Sequence, residues 1–147
     1  MKYLKIGFIL FACHALAKEQ NYNFNSFEKA KKSEEFLSFT GESTKFKIIT
    51  TNFTGFVKKF NLQYDLNSDQ LTKMRVTIDT KSIDTDNSSR NEKLYNLCLK
   101  TDNFPQLTVV IDQKLKLIDG QEAQVDAVLT IKDKTFTRLI KFKVTKL

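Results

Sequence analysis

The chain has 147 residues, 41% of them hydrophobic and 28% charged, with one proline, four scattered glycines and a formal net charge of +7. That is one domain's worth of chain with enough apolar residues for a core, and it argues against a disordered or low-complexity protein. One histidine and two cysteines exclude a multi-histidine metal site and a zinc-type cysteine cluster, and the scattered glycines exclude a glycine-rich phosphate loop.

Residues 1–17 read as a secretory leader. Lys2 and Lys5 form a basic start, Ile6 to Leu16 is mostly apolar but too short to span a bilayer, and Ala15-Leu16-Ala17 is a small-x-small cleavage site. Cleavage is expected after Ala17, with these residues outside the fold and the product periplasmic or secreted. Leu10-Phe11-Ala12-Cys13 loosely resembles a lipoprotein box, but Phe11 is bulky for it; lipidation at Cys13 is the weaker reading. Removing 17 of 147 residues leaves 130 and takes away Cys13 and His14, the only histidine. Cys98 is then the sole cysteine, so no internal disulfide forms and stability must come from the apolar core. Two lysines and no acid lie in the leader, so the net charge falls from +7 to +5. That mildly basic balance is compatible with peripheral contact with an anionic membrane.

Residues 18–35 are polar and lysine-rich. Phe27, Ala30 and Lys31 have helical spacing, and Glu28 and Lys32 stand four apart. A short amphipathic helix over 26–35 and a mobile arm both fit this stretch. From Phe36 the pattern changes to a period of two, as strands require. Phe46 and Ile48 alternate with lysines. Phe60, Leu62, Tyr64 and Leu66 alternate with polar residues, Asn67-Ser68-Asp69 turns, and Met74, Val76 and Ile78 return, which predicts an antiparallel hairpin.

The stretch from Val76 to Pro105 organises the chain. Its strand runs into Ser82-Ile83-Asp84-Thr85-Asp86-Asn87, whose short polar side chains suit a turn or a helix start. Arg90 to Leu99 has the spacing of a short helix, and Pro105 ends the segment. Cys98, between Leu97 and Leu99, reads as a buried structural thiol. Beyond it, Leu107, Val109, Ile111, Leu115 and Leu117 share one parity. Val125, Ala127, Leu129 and Ile131 then precede a turn at Lys132-Asp133-Lys134, and Ile140, Phe142 and Val144 end the chain. Repeated alternating strands at short spacing predict an all-β barrel or sandwich.

No catalytic constellation emerges, so an enzyme is not expected, nor is a cofactor or metal. Asp84 and Asp86 lack the spacing and glycine of a calcium loop and read as turn caps. Lysines alternate with aromatics around Phe46 and Phe60, but on strands that puts lysines in solvent and rings inside, so no nucleic-acid groove is expected.

The block Ser82-Ile83-Asp84-Thr85, Arg90-Asn91-Glu92-Lys93-Leu94 and Phe104-Pro105 resembles the central signature of the YceI-like family, with Asn91 where that family usually has Asp and Lys93 where it often has His. Gly55 to Phe60 and Leu129 to Thr135 add weaker matches, with Asp133 where the family usually has Gly. The resemblance implies an extended, lipocalin-like antiparallel β-barrel over 36–147, with a short helix in the long central connection. It further implies an exported protein that sequesters or carries a long apolar or amphiphilic lipid, of isoprenoid, fatty-amide or other fatty-acid-derived type, in the lumen. On that basis the ligand-binding residues are Phe46, Ile48, Phe60, Leu62, Met74, Val76, Ile78, Leu107, Val109, Leu129 and Phe142, with the apolar parity facing inward. Arg90 has two readings: a head-group contact, or a pin holding the central loop through Asp84 or Asp86. Residues 82–105, with Leu94, Leu97 and Phe104 packed on the barrel mouth, would form a lid. The alternative is a filled barrel serving as a structural or interaction module without ligand. The oligomeric state is open, a homodimer included.

Overall fold

The computed structural model describes residues 4–9, 16–45 and 48–145, with side chains described for 17–44, 48–143 and 145. The chain is nearly all β: β1 (Leu4–Ile9), β2 (Leu16–Asn23), β3 (Phe36–Lys45), β4 (Ile49–Val57), β5 (Lys59–Asn67), β6 (Gln70–Asp79), β7 (Ile83–Asp84), β8 (Gln106–Ile111), β9 (Leu115–Lys116), β10 (Glu122–Ile131) and β11 (Lys134–Thr145). Helix α1 (Phe27–Lys32) precedes β3. Helix α2 (Ser88–Lys93) runs into a π-helical turn, Leu94–Leu99, inside the central connection.

The strands form a single sheet in the order β2-β5-β6-β8-β10-β11-β1-β3-β4-β7, with β9 pairing β6 off this path. Among the described residues every pairing is antiparallel except β1 with β11, which is parallel. The sheet curls so that its two ends reach one residue. The Phe24 N–H, just after β2, donates to the Lys58 carbonyl (2.7 Å), and the Lys58 N–H donates to the Ser82 carbonyl (3.0 Å), just before β7. The strand ladder itself does not close into the continuous barrel expected from the sequence, because β2 and β7 do not pair.

The period of two explains the core. In β5 and β6 the burial alternates along the strand, and Phe60, Leu62, Tyr64, Met74, Val76 and Ile78 share the inner face. They pack with Leu107, Val109, Ile111, Val125, Ala127, Leu129, Ile140 and Phe142 in one cluster. The predicted hairpin is present, pairing Phe60 with Ile78 and Leu62 with Val76, with a register shift at Asp65/Leu66 and a positive φ at Ser68. The Lys132–Asp133 turn places its left-handed residue at Lys132 (φ 57°), so Asp133 needs no glycine. Two glycines make room for rings across the β3–β4 pair. A Cβ at Gly55 would lie 2.3 Å from the Phe39 ring, and one at Gly41 2.5 Å from the Phe53 ring.

Of the readings of residues 26–35 the short helix is the one that forms, and two other expectations about the N-terminal region change. The segment from Ser26 is a helix: Ser26 Oγ accepts from the Lys29 N–H (3.2 Å), Ala30 is buried, and Phe27 meets Phe56 edge-on at 5.4 Å on the outer side of β4. The polar stretch ahead of it is not an arm, since β2 pairs with β5 along its whole length. Residues 1–17 do not stand wholly outside the fold of the 147-residue chain, since Leu4–Ile9 occupies a slot between β11 and β3. The segment around Cys13 lies outside the described residues.

Candidate ligand site

The inner face carries nine of the residues expected to line the interior. Phe60, Leu62, Met74, Val76, Ile78, Leu107, Val109, Leu129 and Phe142 are all buried and belong to the same cluster. Ile48 does not join them. It sits in the β3–β4 turn, beyond the end of β3 where a strand's alternation no longer holds, and is 84% exposed. Phe46 lies outside the described residues.

The central connection forms a structured cover rather than a loose loop. Its two ends are tied together: the Thr80 N–H donates to the Pro105 carbonyl and the Thr80 hydroxyl to the Phe104 carbonyl, both at 2.9 Å. The Ser82 hydroxyl accepts from the Lys59 N–H (3.0 Å) and donates to the Asp79 carbonyl (2.7 Å), fixing the connection to the β4–β5 corner. Asn87, not an aspartate, caps α2, its Oδ1 accepting from the Arg90 N–H at 2.9 Å. Asp84 Oδ1 instead closes a turn by accepting from the Asp86 N–H (3.0 Å). The Tyr95 hydroxyl donates to the Ile83 carbonyl.

Arg90 pins this cover, but not through a carboxylate. Its Nε donates to Thr85 Oγ1 and its terminal nitrogen to the Thr85 carbonyl, each at 3.0 Å, and the guanidinium stacks 4.2 Å over the Phe53 ring. Asp84 is already engaged by Lys58 (3.0 Å) and by the Asn91 amide (2.9 Å). Asn91 uses both ends of its amide, with Oδ1 accepting from the Thr85 N–H and hydroxyl (2.9 and 2.7 Å). An aspartate at 91 would set two carboxylates against each other there. Burial disfavours the Asp84 carboxylate, but the donors from Asn91, Asp86 and Lys58 outweigh it and hold its pKa below the usual value.

Leu94, Tyr95 and Leu99 pack inward from the cover. Leu97 and Cys98 do not: Leu97 is 69% exposed and Cys98 is exposed, because the π-helical turn rotates them away from the sheet. The buried-thiol expectation is therefore overturned.

A polar group inside the sheet escaped the sequence reading. Tyr64 lies on the inner face of β5, 3% exposed, and its hydroxyl is buried without a hydrogen-bond partner among the described residues. On the neighbouring strand Tyr22 stacks on Phe60 at 4.5 Å, and its hydroxyl donates to Gln20 Oε1 (2.5 Å). Burial, then the nearby Glu35 carboxylate, raise the pKa of both tyrosines. The one signal in the sequence was a tyrosine at inward parity among aliphatic residues.

With this geometry in place, comparison with known proteins places the chain. The model of the YceI-like domain matches residues 29–146. The chain belongs to the YceI-like domain family. The match begins inside α1, so β1 and β2 of this YceI-like protein precede it. Among solved structures, it is similar to one described as a polyisoprenoid binding domain from Saccharophagus degradans implicated in plant cell wall breakdown. The identity is 19% and the TM-score 0.53, over 76% of this chain and 63% of that one. At that identity the likeness shows the fold. No curated protein matches the chain.

Proposed function

We propose that this YceI-like protein is an exported, non-enzymatic binding protein that holds a long apolar or amphiphilic lipid, of isoprenoid or fatty-amide type, inside the curled sheet. The observation that carries this reading is the continuous aliphatic and aromatic inner face of β5, β6, β8, β10 and β11 beneath a pinned cover. A lipid chain needs no polar recognition to be held there, since each buried methylene contributes about 0.8 kcal/mol. The polyisoprenoid named for the S. degradans domain supports the same ligand class. The leader pattern supports export, with cleavage after Ala17 and a periplasmic or secreted product.

Native mass spectrometry of gently purified protein tests the reading. A co-purifying mass of roughly a few hundred daltons, the size of a single-chain lipid, is the expected result. Repeated absence of any such mass, with no uptake of added polyprenol, would leave a filled barrel acting as a structural module. N-terminal sequencing is expected to begin at Lys18; an acylated start at Cys13 would place the domain on a membrane instead.

A further inference from the structure

We infer that the interior holds a polar pocket, built on Tyr64 with Glu35 and Tyr22, that takes the neutral hydroxyl or carboxamide head of a long-chain lipid. The inference rests on the lipid-holding reading and adds which end of the ligand is recognised, and by what.

The starting point is an unpaired donor. A buried hydroxyl without a partner is costly, and native interiors rarely keep one. Tyr64 is enclosed, yet its hydroxyl meets no acceptor among the described residues. Its place in the strand explains the isolation. Along β5 its inward neighbours are Leu62 and Leu66, and across to β6 it faces Met74, none of which can accept well. Across to β2 it faces Lys18, while Gln20 and Tyr22 stand opposite Leu62 and Phe60 on the same face. The Tyr22 hydroxyl is engaged by Gln20 and by the Glu35 carboxylate. Thus one strip of an otherwise apolar surface carries polar groups in a row, with one donor left over.

The charges around that donor select the head group. The Glu35 carboxylate lies near enough to both phenols to oppose their ionisation. The same field opposes a carboxylate or phosphate placed beside Tyr64. A neutral head avoids that repulsion. An alcohol or primary amide accepts from the Tyr64 hydroxyl and donates to Glu35, so every polar atom is satisfied. Its tail then lies along the aliphatic surface of Leu62, Val76 and Val109.

The test compares three probes of matched length on wild-type protein and on Tyr64→Phe and Glu35→Gln: 1-hexadecanol, hexadecanoic acid and headless hexadecane, each scored by displacement of a fluorescent polyprenol. Wild type is expected to take the alcohol in preference to the acid. Tyr64→Phe is expected to lose about tenfold in affinity for the alcohol, the worth of one hydrogen bond, with hexadecane unchanged. Glu35→Gln is expected to narrow the gap between alcohol and acid. Tyr64→Phe removes only the hydroxyl, and an unlowered melting temperature confirms that it folds. Hexadecane binding with equal alcohol affinity in wild type and Tyr64→Phe overturns the pocket and leaves the carrier reading standing. A preference for the acid overturns it likewise. No binding of any probe overturns both.

Discussion

Deleting residues 1–17 is expected to bring β3 and β11 into direct contact. In the 147-residue chain β1 separates them, and the register is explicit: Lys5 faces Ser38 on one side and Lys141 on the other. Two strand spacings of about 4.8 Å put Ser38 and Lys141 about 9.6 Å apart across β1. Because β1 runs parallel to β11 and antiparallel to β3, the two flanking strands are already antiparallel to each other. Withdrawing β1 lets them pair as the rest of the sheet does. Keeping the offset that β1 now bridges would set Leu37 opposite Phe142 and Phe39 opposite Ile140, four side chains that are all buried. Continuing the same ladder puts Ser43 opposite Phe136, a ring now 36% exposed. A disulfide requires Cα atoms about 4.4–6.8 Å apart, so it discriminates the two states. In a Cys13→Ser, Cys98→Ser background, Ser38→Cys with Lys141→Cys is expected to oxidise to an intramolecular bridge in the truncated protein and not in the chain that keeps residues 1–17. Mass spectrometry under non-reducing conditions reads the result. A bridge in the 147-residue chain, or none in a truncated chain that is folded by circular dichroism, would refute the direct pairing of β3 with β11.

Three further outcomes follow from the cover and the interior. Arg90→Ala removes two hydrogen bonds and the contact with Phe53 from a half-buried group, so it is expected to cost about 1–2 kcal/mol. Hydrogen exchange over 82–104 and the off-rate of a bound fluorescent lipid are both expected to rise, and Arg90→Lys, which lacks the planar fork, is expected not to restore them. The folded pKa of Asp84 lies below its unfolded value of about 3.9. Its contribution is therefore full above that pH and lost as pH falls through the folded value; exchange in the cover should accelerate below about pH 4, and Asp84→Asn should remove that dependence. Tyr64→Phe relieves a buried, unpaired hydroxyl and is expected to raise the stability of the ligand-free protein by about 1 kcal/mol in a denaturant titration.

Features that depend on near neighbours along the chain can be read from the residues alone. The β5–β6 hairpin and its inward parity were legible because alternation is a local property and one face must be dry. The helix in the central connection was legible from the spacing of its residues, and the family from a run of unlike elements in fixed order. The tertiary structure decided the rest. Arg90 has acids four and six residues before it, yet Asp84 is claimed by Lys58, a residue 26 positions away that only the β4–β5 corner brings near. Cys98 and Leu97 looked buried by composition, but a π-helical turn changes the rotation per residue and turns them outward. The Tyr64 hydroxyl is unpaired only because β2 and β6 place no acceptor opposite it. The slot between β3 and β11 belongs to neither strand's own pattern. Each strand carries an alternating face that could pair with either neighbour, so which one lies alongside is settled by what else the chain brings there.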